Sequence, residues 1–450
     1  MRLFATFVLI IFSHSMFALT LQQVRQMALD NSKQLKASWY EVQKYRNDYR
    51  SAVGANLLPQ IDFIGVLKYT HNNYPKSSGA SGEYFSDFTD AEKKLGYQVL
   101  QIVSDMSTPS GDQTALTARV QISQILYSGG KVLTGLDVAK KAYNSLEKRY
   151  ILTKQEIVFN TTKLYYQLIL AQKALEIQKQ AKGLATKNLQ QTESMYAQGV
   201  VSEYQKLRAS LEVSKIKTTI VEAESAVSVA KQALENVIGG SIDKATDKLI
   251  APQVTELSLD EAISIGIKKR LELELSAIGL EIENKTLSIK KKEFYPNVLF
   301  QAAYQKYSLS TDKSVQTSSF GDSYEYGLLF TLPLFTGLSR GEDVKSQTNK
   351  LKMAQLEHTR LQENILLQIR SSYNELKASQ KNYQTQKQNL ALSEKAYSIA
   401  ETRYNNGVSS QLELIDAQLQ KSLSLLEYEN SVFRLIVGDF QLKKAIGEEL

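Results

Sequence analysis

Two hydrophobic rhythms alternate along the chain. In four short segments, apolar and polar positions alternate with period two. In "IDFIGVLKYT", Ile61, Phe63, Leu67 and Tyr69 fall on one side, Asp62 and Lys68 on the other. In "ARVQISQILY", Val120 and Ile122 oppose Arg119, Gln121 and Ser123. In "NVLFQAAYQKYS", Val298, Phe300, Ala302 and Tyr304 alternate with Leu299, Gln301, Ala303 and Gln305. In "YEYGLLFTLPLF", Tyr324, Tyr326, Leu328, Phe330, Leu332 and Leu334 share one face. These patterns predict strands over 60–70, 118–127, 297–308 and 324–335. Each is about ten residues, the length of a tilted membrane strand, with tyrosines near the ends where an interfacial girdle would lie.

The rest reads as helix. Only six prolines occur, and 110–251 and 334–450 contain none, which fits long uninterrupted helices. The pattern predicts helices over 21–57, 131–198, 200–238, 258–294, 340–406 and 408–446. A helix over 131–198 would be roughly 100 Å long, and two of the shorter ones laid end to end would match it. In the last helix, Leu412, Leu419, Leu426, Phe433 and Phe440 recur every seven residues, interleaved with Ile415 and Ile436, which predicts a coiled-coil seam.

The order of elements occurs twice. "MYAQGVVSEYQKLRAS" at 195–210 matches "RYNNGVSSQLELIDAQ" at 403–418. Tyr196 and Tyr404, Gly199 and Gly407, Val200 and Val408, and Ala209 and Ala417 all stand 208 positions apart. "LTLQQV" at 19–24 answers "LSLDEA" at 257–262, "LPQIDF" at 58–63 answers "YPNVLF" at 295–300, and "LYSGGK" at 126–131 answers "LFTGLSR" at 334–340. The chain therefore divides into repeat 1 (19–240), a joining linker (241–256) and repeat 2 (257–450). Repeat 1 carries an extra polar, glycine-containing loop over 72–117, read as a solvent-exposed insertion.

Composition narrows the function. "MRLFATFVLIIFSHSMFA" has Arg2, an apolar run and a small Ala18, which predicts a signal peptide over 1–18 and a secreted chain. There is no cysteine, so disulfides, thiolate metal sites and a lipidated N-terminal cysteine are excluded. The formal charge of +7 is spread over many Lys and Glu rather than collected in a block, which argues against nucleic acid. After signal removal only His71 and His358 remain, with no phosphate-binding glycine loop after a strand. No enzyme, metal or cofactor is expected. Four strands with mostly helical surroundings leave no second sheet to cover them, and two unpaired edges in lipid would cost several kcal/mol per group. One protomer cannot close a barrel, so several must pool their strands. A surface-anchored trimeric coiled coil acting as adhesin or spacer is the competing reading, but it predicts one hairpin at a chain end rather than strand pairs midway through each repeat.

Together, the signal peptide, the duplicated helix–strand–strand–helix plan, the Pro-led strands, "YSGG" and "RYNNGV…LIDAQ" resemble the TolC family of outer-membrane channel-tunnels. The resemblance covers essentially the whole mature chain. It implies an α+β membrane protein: a homotrimer with a shared transmembrane β-barrel, four strands per protomer, above a long α-helical coiled-coil barrel in the periplasm. It also implies a passive exit duct for a tripartite efflux pump or type I secretion system, docked to a periplasmic adaptor and an inner-membrane pump or ABC exporter. On this resemblance, Gly199, Val200 and Val201, and Gly407, Val408 and Ser409, are tip turns that contact the adaptor. Glu413 and Asp416 lie three apart, on one helical face. By spacing alone they form a solvated surface pair. By the family position they ring the periplasmic end with six carboxylates, helped by Tyr404. Ser409 stands where some members have a basic residue. "FTGLSR" departs from the usual double glycine and suggests a one-residue insertion.

Overall fold

In the computed structural model the described residues are 18–72, 89, 90, 92, 94, 111–254, 256–310 and 320–448. They divide into two compact units. The helical unit gathers residues from 1–47, 140–284 and 349–450; the sheet unit gathers 48–139 and 285–348. The insertion expected over 72–117 falls largely outside the described residues.

The elements run in order β1 (Ala18–Leu19), α1 (Leu21–Asn31), α2 (Lys33–Leu57), β2 (Gln60–Asn72), β3 (Gly111–Tyr127), α3 (Lys131–Ala197), α4 (Glu203–Ile238) and β4 (Lys244–Ala245). Then follow α5 (Leu259–Lys269), α6 (Leu271–Lys292), β5 (Asn297–Ser310), β6 (Gly321–Thr331), α7 (Ser339–Asn405) and α8 (Gln411–Ala445). The long helices α3 and α7 both have 67 residues, about 100 Å at 1.5 Å per residue.

The repeats superimpose side chain on side chain in the helical unit. Tyr165, Leu168, Leu234 and Ile238 are buried in one core cluster. Leu376, Leu442 and Ile446, their counterparts 208 positions on, are buried in the second, with Tyr373 packed against it. The Tyr165 hydroxyl donates to the Leu19 carbonyl at 2.8 Å, and the Tyr373 hydroxyl to the Leu257 carbonyl at 3.2 Å. These tyrosines tie each long helix to the start of its own repeat.

The helices expected as unbroken over 21–57 and 258–294 are each interrupted, at Ser32 and Arg270, where the backbone turns extended. No proline or glycine forces the breaks. They come from the neighbouring helix ends, whose last carbonyls need donors. Asn31 Nδ2 donates to the Ile238 carbonyl at 2.8 Å, and Arg270 Nη1 donates to the Ala445 carbonyl at 3.2 Å. Gly239 and Gly447 close α4 and α8 in the left-handed region, at φ 63° and 73°. A Cβ on Gly447 would approach the Lys269 carbonyl to 2.9 Å, so a side chain there would push the joint apart.

The heptad seam read from α8 is partly covered: Ile436 is buried, and Ile415, Leu426, Phe433 and Phe440 are half-buried. Leu412 and Leu419 are exposed, whereas Leu414, Gln418, Val432, Leu435 and Leu442 are buried. Periodicity found an apolar stripe, but the single chain covers the adjacent one more fully.

The sheet order is β2-β3-β5-β6, antiparallel throughout, so β2 and β6 are edges. β3 begins at Gly111 rather than 118, because "GDQTALT" continues the ladder to Asn72↔Gly111 despite its weak apolar signal. β6 spans 321–331 rather than 324–335. Pro333 has no N–H to extend the ladder, so Leu332 and Leu334 lie beyond the strand.

The "FTGLSR" turn carries no insertion. Gly337 and Leu338 adopt φ 63° and 69°, matching Gly129 and Gly130 at 64° and 77°, and both turns open helices 208 positions apart. A leucine simply stands in the second left-handed position, the one non-glycine residue with positive φ among those described.

Candidate functional site

Register decides what the sheet can face. Directly opposed residues share a side. Phe63 pairs with Val120, Val120 with Tyr304, and Tyr304 with Tyr324. Ile61, Ile122, Ala302 and Tyr326 form the next row, and Phe300, Leu328, Val298 and Phe330 continue the same side. The apolar sides of all four strands therefore coincide. The opposite side is mixed: it carries Asp62, Lys68, Gln121, Gln301, Gln305 and Ser323 together with Ile64, Val66, Leu299, Leu309 and Leu329, and across it Arg119 on β3 pairs with Glu325 on β6, over β5; on the apolar side Lys306 opposes Asp322 at one end. The first face suits hydrocarbon and the second carries most of the polar side chains, as barrel strands require. No helix among the described residues is long and apolar enough to cross a membrane.

The second feature is the pair of helix-to-helix turns. The Gly199 amide donates to the Tyr196 carbonyl and the Val200 amide to Met195, both at 2.9 Å. The Gly407 amide donates to Tyr404 and the Val408 amide to Arg403, again at 2.9 Å. This is one Schellman motif used twice, with the glycines left-handed at φ 73° and 72°. Val200 and Val408 are exposed at the apices, beside exposed Gly199 and Gly407; Val201 and Ser409 are half-buried.

Each returning helix then starts on a serine. Ser202 and Gln205 form a reciprocal capping box in repeat 1. In repeat 2, Ser410 Oγ accepts the Glu413 amide at 3.3 Å. Glu413 thus occupies the third helical position, where the exposed amides of a helix start favour a carboxylate. Its side chain and that of Asp416 are both exposed. The matching residues in repeat 1 are Gln205 and Arg208, so the acidic pair belongs to repeat 2 alone.

Tyr404 is buried in a small apolar cluster with Tyr397 and Leu414, against which Leu184 and Ala417 pack. Within the chain it therefore holds the hairpin together by packing. Burial, with the hydrogen bond it donates to Glu401 at 3.0 Å, pushes the Tyr397 hydroxyl up to about 12.

Sequence reasoning missed a buried polar ladder beneath the turn. Gln411 Nε2 donates to Thr192 Oγ1 at 2.8 Å. Gln418 Nε2 donates to the Ala181 carbonyl at 3.1 Å and its Oε1 accepts from Asn188 at 3.0 Å. Gln411 Oε1 has no partner among the described residues. The available signal was two glutamines seven apart beside a leucine stripe.

A family model described as outer membrane efflux protein matches residues 24–240 and 263–432. The outer membrane protein TolC of Vibrio cholerae is 22% identical over 359 residues, which cover 78% of this chain and 80% of that one. The outer membrane efflux protein BepC of Brucella suis is 20% identical over 408 residues, covering 85% and 84%. The fold is similar to that of the outer membrane protein VceC of Vibrio cholerae, with a TM-score of 0.74 and 17% identity over 95% of this chain and 96% of that one.

Proposed function

Because the chain belongs to the outer membrane efflux protein family, we propose that it is the passive outer-membrane exit duct of a tripartite efflux pump or type I secretion system. The sheet is its membrane-spanning part in a Gram-negative outer membrane, and the helices form its periplasmic tunnel. The observation that carries this reading is the sheet: a face whose central rows are apolar on all four strands, an opposite face that carries most of the polar side chains, and two edges unpaired among the described residues. Such a sheet is untenable alone in lipid, where each orphan amide or carbonyl costs several kcal/mol, and becomes stable once closed with further copies. A homotrimer with a twelve-stranded barrel is the assembly the family resemblance supplies. The adhesin reading gains nothing from strand pairs set midway in both repeats.

The proposed processing removes residues 1–18, leaving the capping box of Thr20 and Gln23 to open the mature protein's first helix. The turns at Gly199, Val200 and Val201 and at Gly407, Val408 and Ser409 receive the periplasmic adaptor, through which the inner-membrane pump or ABC exporter supplies energy. Support comes from their exposed valines at the apex of two geometrically identical turns. Glu413 and Asp416 are proposed to ring the tunnel's inner end in the trimer, where six carboxylates would attract cations and repel anions. Tyr404 positions the hairpin that carries them.

The test is single-channel conductance of the purified mature protein in a planar bilayer, alongside Glu413→Gln/Asp416→Asn. A small, cation-preferring conductance that loses its preference in the double variant is expected. A large unselective conductance in both keeps the duct and removes the acidic ring. A folded, inserted protein with no conductance removes the duct.

A further inference from the structure

One end of the sheet adjoins the helices: β2 follows α2, β3 precedes α3, β5 follows α6 and β6 precedes α7. Apolar and cationic side chains collect along that margin. β3 leaves the sheet at Tyr127, which stands opposite Val298 and so on the side whose central rows are apolar. Tyr127, Leu133, Phe294, Tyr295 and Phe335 are all exposed within a few residues of a strand end. Exposed aromatic side chains of this kind suit the boundary between hydrocarbon and water better than either phase.

The same margin carries more cations than its carboxylates can pair. Glu293 and Asp343 both hold Lys290, each at 3.1 Å. Glu342 holds Lys345 at 2.7 Å, and Asp137 holds Lys285 at 2.6 Å. With those carboxylates taken, Lys131, Lys291, Lys292 and Arg340 form no ion pair among the described residues. Arg340 reaches only neutral groups: it donates to the Pro333 carbonyl at 3.4 Å and lies over the Phe294 ring at 5.9 Å. Lys292 Nζ donates to Thr134 Oγ1 at 2.6 Å and to the Gly130 carbonyl at 3.5 Å. It thus sits over the first turn of α3, the positive end of a helix, where a cation is disfavoured and an anion favoured. All these groups belong to the sheet unit.

We propose that this margin is a binding surface for an anionic glycerophospholipid of the leaflet facing the periplasm. Lys291, Lys292 and Arg340 hold the phosphodiester, and the acyl chains lie against Tyr127, Leu133 and Phe335. The inference rests on the channel reading and names the lipid at its inner margin. Charge and depth agree: a lipid phosphate sits at the boundary that the exposed aromatic side chains mark. Lysine and arginine stems can lie along apolar surface while their heads reach the headgroup layer, as Arg340 already does over Phe294. A soluble phosphate would satisfy the cations and leave the apolar side chains in water. A zwitterionic lipid would cover the apolar side chains but bring a cation of its own to the collar. Only a lipid of net negative charge answers both halves.

Native mass spectrometry of the purified mature protein in detergent tests this. The probes are equimolar phosphatidylglycerol and phosphatidylcholine with identical acyl chains. A cation at an anionic lipid surface is worth about fivefold in binding, so phosphatidylglycerol adducts should exceed phosphatidylcholine adducts at least about tenfold. Lys291→Gln/Lys292→Gln/Arg340→Gln should bring the two lipids to within about twofold of each other. Lys179→Gln/Lys182→Gln/Lys187→Gln, the same loss of charge toward the far end of α3, should leave the preference unchanged. Raising the ammonium acetate about tenfold should weaken the wild-type preference without any substitution, so the test survives a triple variant that fails to fold. Equal retention of both lipids by a wild type that conducts overturns the surface. So does a preference indifferent to salt, or one that persists in the folded triple variant. Displacement of the adducts by excess sn-glycerol 3-phosphate would assign the cations to a soluble phosphate ester and overturn the lipid. A wild type that neither conducts nor retains any lipid removes the channel reading along with the surface.

Discussion

Replacing Tyr165 by phenylalanine tests the joint that fixes the start of repeat 1, and Tyr373→Phe serves as its built-in control. The ring of Tyr165 is fully buried, and phenylalanine preserves its packing. What is lost is the hydroxyl, which donates to the Leu19 carbonyl at 2.8 Å and accepts the Asp247 amide at 3.3 Å. Leu19 stays satisfied, because its carbonyl also accepts from the Thr246 amide at 3.3 Å and hydroxyl at 3.1 Å. The Asp247 amide loses its acceptor in a half-buried place. One neutral hydrogen bond contributes about 1 kcal/mol, and a stranded donor about 1 kcal/mol more, so Tyr165→Phe should cost about 2 kcal/mol. Tyr373 makes a single longer bond to Leu257, and Tyr373→Phe should cost about 0.5–1 kcal/mol. Hydrogen exchange of the detergent-solubilised protein reads both locally. The Leu21 amide, which donates to Asp247 Oδ2 at 2.9 Å, should open about tenfold or more faster in Tyr165→Phe. Burial pushes the Tyr165 hydroxyl up to about 12 from 10.0. Its neutral form is therefore favoured in the folded state, and this contribution is present below pH 10 and lost as pH rises through 12. That part of the alkaline destabilisation should disappear in Tyr165→Phe. Equal losses in the two variants, or an unchanged Leu21 amide, would refute the reasoning.

The polar ladder under the tip offers a contrast. Gln411→Met removes a half-satisfied amide and leaves Thr192 still bonded to the Asn188 carbonyl, so hairpin stability should change by less than about 0.5 kcal/mol or rise. Gln418→Met breaks two bonds and strands Asn188, costing about 2 kcal/mol in thermal unfolding followed by circular dichroism. Glu429 on α8 is half-buried, and desolvation, with Glu176 nearby, raises its carboxyl above 4.5, while Lys173 opposes the shift. The protonated form is thus favoured in the folded state; the stabilisation is complete below pH 4.5 and lost as pH rises through the raised value. Glu429→Gln should raise the melting temperature at neutral pH and flatten its dependence on pH between 4 and 7; an unchanged dependence contradicts this.

Much of the fold was legible because the sheet is amphipathic strand by strand. The period-two pattern and the leading prolines, Pro59 and Pro296, located all four strands, and the repeat of Gly199 at Gly407 located both helix turns. What escaped depended on tertiary partners. The breaks at Ser32 and Arg270 carry no breaker residue; they exist because α4 and α8 end there and need donors. The α8 heptad told of an apolar stripe without telling which of two adjacent stripes the chain itself covers more fully. Leu338 misled because a leucine with positive φ is disfavoured, so an insertion was the cheaper local reading of its turn. At the tip, Glu413 and Asp416 were visible as a pair, but the capping position of Glu413 and the burial of Gln411 and Gln418 required the helices to be in place.

The polar side of the sheet has a consequence for permeation. Across its four strands the ionisable residues are Asp62, Lys68, Arg119 and Glu325, two of each sign, with Arg119 and Glu325 already joined. A pore walled by copies of this face is electrically blank on average and would pass ions of either sign with little bias from the strands. Discrimination measured across the whole molecule would then come from residues outside the strands. Exchanging Lys68 for glutamate would give the blank wall a sign of its own.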